Sequence, residues 1–265
     1  MTGTDRRHPA GIILQQRDID LLRELAVMRV ADRELVRTAA QFTSTTRVNT
    51  RLLALTRAGL LRRFFLGSGG GRKAIYALSQ KGAKLIHVPC RGPRRRQNET
   101  LVADLSIQHQ LTVNSVYCNL KFDMIPVADV QFVNWVAFNE PLTNALKLIP
   151  DGYVEFKMPT GIDASFVEVD LGHEALSVWK EKARQYLQLA VSGEYTRLFR
   201  NARFRVLVLT NSERRMHSLR NLLAGMTQKI FWFAPLDRVA GEQFFAAVWG
   251  RPVGDTNQSL FGSSR

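Results

Sequence analysis

Cysteine is nearly absent: Cys90 and Cys118 are the only two in 265 residues, and they show no paired spacing. That excludes a disulfide framework or a cysteine-built zinc site and leads to the expectation of a cytoplasmic location. Long apolar runs are missing too. None approaches the roughly 20 residues that span a bilayer, so no membrane partner is expected. The opening MTGTDRRHPAG carries no apolar stretch of the kind a signal peptide has. No GK[ST], GxSxG or HExxH pattern occurs, which removes the P-loop, nucleophile-elbow and zincin chemistries. His173 and His217 have no Cys or second His at ligand spacing. Acidic residues are scarce in one place only. The first hundred residues hold 7 against 20 basic ones, a net +13, whereas the rest holds 16 against 17. Such an imbalance points to a polyanion-binding module joined to something of a different kind. Of the 37 basic residues 28 are arginine, whose planar fork suits phosphate better than a lysine point charge. The composition, 45% hydrophobic and 23% charged, is that of a globular protein of one or two domains.

In the basic part, Ile19, Leu22, Leu25 and Met28 recur at helical spacing, with Asp18 as a candidate cap. A second helix reads from Asp32 to about Gln41. A third follows Ser44 and runs to Ala58 with Val48, Leu52 and Leu55 inward, and Gly59 ends it. Its outer face, Thr45, Thr46, Arg47, Asn49, Thr50 and Arg51, holds short polar and guanidinium side chains and no acid. A recognition helix reads base edges with such residues near its N-terminus. Leu60–Leu66 and Ala74–Leu78 read as strands around Gly67-Ser68-Gly69-Gly70-Gly71, flanked by Arg62, Arg63, Arg72 and Lys73. A fourth helix opens at Ser79. Three helices and a basic hairpin in this order resemble a winged helix-turn-helix over about residues 14–87, implying double-stranded DNA as partner. The same pattern is also that of a solvated face with a flexible linker, or of a protein-binding winged helix. Residues 88–97, VPCRGPRRRQ, read as a basic linker in which Arg94, Arg95 and Arg96 can track phosphates.

The remainder reads as a helix from Asn98 to about Asn119, then strands at Val130–Phe138, Gly152–Phe156 and Ser165–Val169. A helix at His173–Val191 follows, then strands at Arg203–Leu209 and Lys229–Phe233 around a helix at Glu213–Gly225. This order predicts an α/β layer arrangement. Trp135, Trp179, Trp232 and Trp249 read as core or interface, and residues 250–265 as a mobile tail. Asp151 stands at the mouth of the second strand. Glu168 and Asp170, two apart, share one face of the third, next to Phe166, which suggests partial burial. Glu140 follows the first strand, and Lys180 and Lys182 lie about two turns into the next helix.

Asp151, Glu168 and a lysine resemble the PD-(D/E)xK nuclease superfamily. The resemblance implies a restriction-endonuclease-like α/β domain with a mixed central sheet over residues 98–249, in an α+β chain. It implies Mg²⁺ or Mn²⁺ held by Asp151, Glu168 and Asp170, with Glu140 nearby, and endodeoxyribonuclease chemistry. The superfamily has a lysine two positions after the third-strand acid, and here that position is Asp170. In some branches the lysine moves to the following helix, where Lys182, with Tyr186 at i+4, is favoured over Lys180. The same residues are also consistent with a turn, a solvated strand and a structural salt bridge. The winged helix, HQLTVN, IPDG, FVEVDLG and WKEKARQYL together resemble the plasmid replication-relaxation family over most of residues 14–235. That implies a DNA-binding protein of a plasmid or other mobile element, a nickase or a non-catalytic regulator. Its further expected partners are a second copy of itself and replication or plasmid-maintenance proteins.

Overall fold

The computed structural model describes residues 12–68, 71–93, 100–102, 105–255 and 257–261. The chain divides into two compact units, residues 1–111 and 112–265.

In the first unit the apolar stripe Leu21, Leu22, Leu25 and Met28 buries one face of α1 (Gln16–Met28). Asp18 does not cap this helix. It stands at the third helical position and receives the Gln15 amide at 2.6 Å, the back half of a capping box. Asp32 caps α2 (Arg33–Ala39), its carboxylate accepting from the Leu35 amide at 2.9 Å. Val48, Leu52 and Leu55 are the buried face of α3 (Thr45–Arg57), and Ser79 caps α4 (Gln80–Leu85) by accepting from Gly82. The expected strands are β2 (Leu61–Ser68) and β3 (Gly71–Leu78), an antiparallel hairpin. Two strands were not legible in the sequence. β1 (Ala31–Asp32) pairs with β3, and β4 (Thr100–Val102) pairs in parallel with β2, giving the order β1-β3-β2-β4. β4 occupies the stretch expected to open a helix, so α5 (Leu105–Phe122) begins later. The described part of the expected linker, residues 88–93, packs: Pro93 accepts from Arg62 at 3.0 Å.

The second unit is built on a five-stranded sheet of order β5 (Gln131–Val136), β6 (Gly152–Met158), β7 (Gly161–Asp170), β8 (Arg205–Thr210) and β9 (Phe231–Pro235). The first three strands form an antiparallel meander, and β7, β8 and β9 run parallel. The architecture is thus α+β with a mixed sheet. Strands in its middle are buried on both faces, which is why VLVL in β8 is continuously apolar. One face carries Val154, Phe156, Val167, Val169 and Leu207 against Val116 and Leu120 of α5. The other carries Tyr153, Phe166, Val208 and Phe233 against α6 (Leu176–Val191), α7 (Glu194–Phe199) and α8 (Glu213–Ala224). Short α7 was not foreseen. Among the described residues no helix is long and apolar enough to cross a membrane.

The segment expected to be a mobile tail is instead packed where it is described. Leu260 and Phe261 join the first of these cores. The Arg220 guanidinium donates to the carbonyls of Arg251 and Gly254 at 2.6 and 2.7 Å, and Arg205 donates to Leu260. The Phe261 ring lies 5.4 Å from that of Phe156 and 5.8 Å from that of Phe245. Replacing Phe261 with Ala is therefore expected to cost about 3 kcal/mol in urea unfolding, while exposed Val253→Ala leaves the midpoint in place. Equal midpoints for the two variants would show that the segment does not pack.

Candidate functional site

Glu168 lies on β7, at the centre of the sheet, and is 0% exposed. Its neighbour across the β6–β7 register is the start of β6, since Gly152 pairs with Val167. Asp151, the residue before, is anchored there by accepting from the Val169 amide at 2.7 Å. Gly152 is required by close approach: a Cβ on it would lie 2.2 Å from the Trp135 ring. The packing of β5 on β6 thus needs the glycine of the Pro-Asp-Gly turn that presents Asp151.

Facing Glu168 is α6. Tyr186 donates its hydroxyl to Glu168 Oε1 at 2.5 Å, and Lys182 donates its ammonium to Oε2 at 3.1 Å. Lys182 also reaches Glu174 at 3.3 Å. Lys182 and Tyr186 are four apart, so one helical face delivers both. Lys180 is two residues off that face and exposed. Burial pushes the Glu168 carboxyl up. The Lys182 ammonium pulls it back, the Asp151 charge adds to the rise, and it settles at about 7. Burial works against the Lys182 ammonium, but Glu168, Glu174 and Asp151 outweigh it and hold the ammonium charged well past its ordinary range. Burial and the facing Glu168 raise the Tyr186 hydroxyl, so it stays a proton donor.

Asp170 shares the face of Glu168, as expected, but not its partners. It accepts from the Trp179 indole N–H, from the Gly172 amide at 2.5 Å and from Arg215 at 2.7 and 3.1 Å. It is 2% exposed, so the partial burial expected for this face is in fact complete. The reason is that α6 and α8 both cover it. Glu140 lies exposed in the loop after β5. Among the described residues no group of three or more His, Cys, Asp or Glu is placed to hold a metal ion. The expected trio is therefore not assembled, and Asp170 is committed to Trp179, Gly172 and Arg215. A pair can still fit Mg²⁺, which is commonly held by one or two carboxylates and completes its shell with water and substrate phosphate.

In the first unit Thr45, Thr46, Arg47, Asn49 and Thr50 are exposed along α3. Arg51 is not part of that open face. It is ion-paired with Asp18, which receives its Nε at 2.6 Å, and it donates to the Ile13 carbonyl at 2.8 Å. Lys73 pairs with Asp32 at 2.5 Å. Arg62 and Arg63 lie over the rings of Phe64 and Phe65. Arg72 stands on β3 opposite Gly67. Arg94, Arg95 and Arg96 lie outside the described residues.

A family model described as replication-relaxation matches residues 22–201, more than half of the chain. The chain belongs to the replication-relaxation family. The match takes in α3, the Asp151 turn, Glu168 and Lys182. No curated protein and no solved structure matches the chain.

Sequence reasoning about this replication-relaxation protein missed Glu174, Trp179 and Arg215. Only Trp179, three residues before Lys182, carried a spacing signal. The ion pair makes a pH prediction. Lys182→Met leaves Glu168 buried without its cation and raises its folded pKa further. A raised carboxyl pKa gives stability that is lost as pH rises through it. In wild type the loss contributed by Glu168 ends above about 7, whereas in the variant it continues. The difference in unfolding free energy should be flat from pH 5 to 7 and then widen by up to about 1.4 kcal/mol per unit. A gap independent of pH would contradict the pairing.

Proposed function

We infer that this replication-relaxation protein is a two-module DNA-handling protein: the first unit grips duplex DNA and the second acts on a phosphodiester. For the first unit, the support is α3, whose buried stripe is apolar and whose exposed face holds Thr45, Thr46, Arg47 and Asn49 without an acid. The β2–β3 hairpin follows it directly, the order of a winged helix-turn-helix. Arg47 can reach a guanine edge or a phosphate, and Asn49 an adenine edge.

For the second unit one observation carries the reading. A helix-borne ammonium, Lys182, sits 3.1 Å from the buried strand carboxylate Glu168, and Asp151 is close enough to shift both. This supports reading the three as the acid–acid–lysine set of the PD-(D/E)xK superfamily, with the lysine moved to the helix and Asp170 at its usual position. Asp151 and Glu168 would hold Mg²⁺ or Mn²⁺, which when bound lowers the pKa of water and offsets charge on the phosphate. Lys182 would orient the attacking water and stabilise the developing negative charge. Tyr186 keeps Glu168 aimed. Hydrolysis adds one water across a phosphorus–oxygen bond, leaving one phosphate monoester and one hydroxyl end.

Supercoiled plasmid with Mg²⁺ or Mn²⁺ tests this. Wild type should convert it to open circles, and Asp151→Ala and Lys182→Met should each lower the rate by at least about 10²-fold. Equal nicking by wild type and Asp151→Ala, or none by either, removes the enzymatic reading. A second reading is a non-catalytic regulator, favoured by the fact that both Glu168 oxygens already have donors. It requires site-specific binding that survives EDTA and leaves both strands intact.

DNA binding has its own test. Arg47→Ala should weaken duplex binding and, if the contact is to phosphate, lower the salt slope by about 0.9. Arg51→Ala should act on stability through Asp18 instead. Unchanged affinity for Arg47→Ala would place the DNA face elsewhere.

A further inference from the structure

The third-strand position two residues after Glu168 carries a carboxylate, Asp170, where the superfamily it resembles carries the lysine. That carboxylate is buried and elaborately bound. Arg215 on α8 donates to both of its oxygens and also to the Glu174 carbonyl at 2.5 Å. The other side chain that donates to Asp170 is Trp179, through its indole N–H. Trp179 is 0% exposed, and its ring lies 4.9 Å from the Lys182 ammonium. Trp179, Lys182 and Tyr186 recur at i, i+3 and i+7, one face of α6. Asp170 and Glu168 recur at i and i+2, one face of β7. Two strand carboxylates therefore meet three consecutive turns of one helix.

We propose that Asp170, Arg215 and Trp179 are positioning residues that mount the helix-borne Lys182 against Glu168. This rests on the reading of Lys182 as part of the site. The physical reasons are specific. An ammonium on a four-carbon stem has many rotamers, and holding it at one carboxylate costs entropy. A ring fixed at its N–H by Asp170 presents a π face at one height, and the cation settles between that face and Glu168. Arg215 supplies the charge that lets Asp170 stay buried. Because Arg215 also holds the Glu174 carbonyl, it places the second carboxylate that Lys182 touches. An ion pair with a merely structural role would need only Asp170 and Arg215. The indole bond and the cation over the ring are what tie this pair to Lys182.

The test reads the position of Lys182 without requiring activity. The full chain is labelled at fixed pH with a water-soluble amine reagent and analysed by mass spectrometry, with exposed Lys180 as internal reference. In wild type Lys182 should react about tenfold more slowly than Lys180. Trp179→Phe keeps a ring and loses the N–H. The double variant Asp170→Asn/Arg215→Met removes the pair without leaving a lone buried charge. In both, the Lys182 to Lys180 ratio should rise several-fold. Leu120→Ala, a buried α5 position in the core on the opposite face of the sheet, should lower thermal stability and leave the ratio alone. An unchanged ratio in Trp179→Phe and in the double variant overturns the proposal. If wild type nicks plasmid, both variants should lose kcat by about 10²-fold at similar KM. A shifted ratio in a chain that never nicks would uphold the mount and remove the nuclease reading. Nicking by wild type with ratio and kcat unmoved in both variants would do the reverse.

Discussion

A carboxylate with no access to water persists in a fold only where fixed donors replace its hydration shell. At Glu168 those donors are the Tyr186 hydroxyl and the Lys182 ammonium, both from α6. Meeting that demand sets the placement of α6 on the sheet, the depth at which Lys182 is buried and the field that Asp151 experiences at the strand mouth. The same demand one pleat further along is met by Arg215 and Trp179 at Asp170. Apolar isosteres would fill this space at comparable or better stability. The two polar arrangements are therefore weak evidence for stability alone, and phosphodiester chemistry is the role proposed for them.

The first unit applies the rule on a smaller scale. Acids are few there, and two of them are used internally: Asp18 holds Arg51 and completes the α1 capping box, while Asp32 caps α2 and holds Lys73. Pairing consumes cations as well as anions, so it does not reduce the excess charge. It decides which cations stay on the open surface. Arg47 remains exposed on α3, whereas Arg51, one turn on, braces α1.

Much of this was legible in the chain. The stripes Val48–Leu52–Leu55 and Leu22–Leu25 marked their helices, and the order of strands and helices pointed to layers of helix on sheet, though not to which strands run parallel. Lys182 was distinguishable from Lys180 because Tyr186 shares its face. What escaped depends on partners distant in sequence. Arg215 lies 45 residues from Asp170, and Asp18 lies 33 from Arg51. No local pattern announces such pairs, so Asp170 read as a metal ligand and Arg51 as a DNA contact. β1 and β4 are two and three residues long, too short for periodicity to show. Residues 250–265 read as loose because the anchors of the described part, Arg205 and Arg220, are side-chain donors to its backbone carbonyls.

The central proposal is that Asp151 and Glu168 hold a divalent cation beside Lys182. Titration of Mn²⁺ followed by electron paramagnetic resonance addresses it directly. The account predicts a bound ion in wild type that is lost in Asp151→Asn and in Glu168→Gln, and retained in Glu140→Gln. No bound Mn²⁺, or binding indifferent to Asp151 and Glu168, would contradict it.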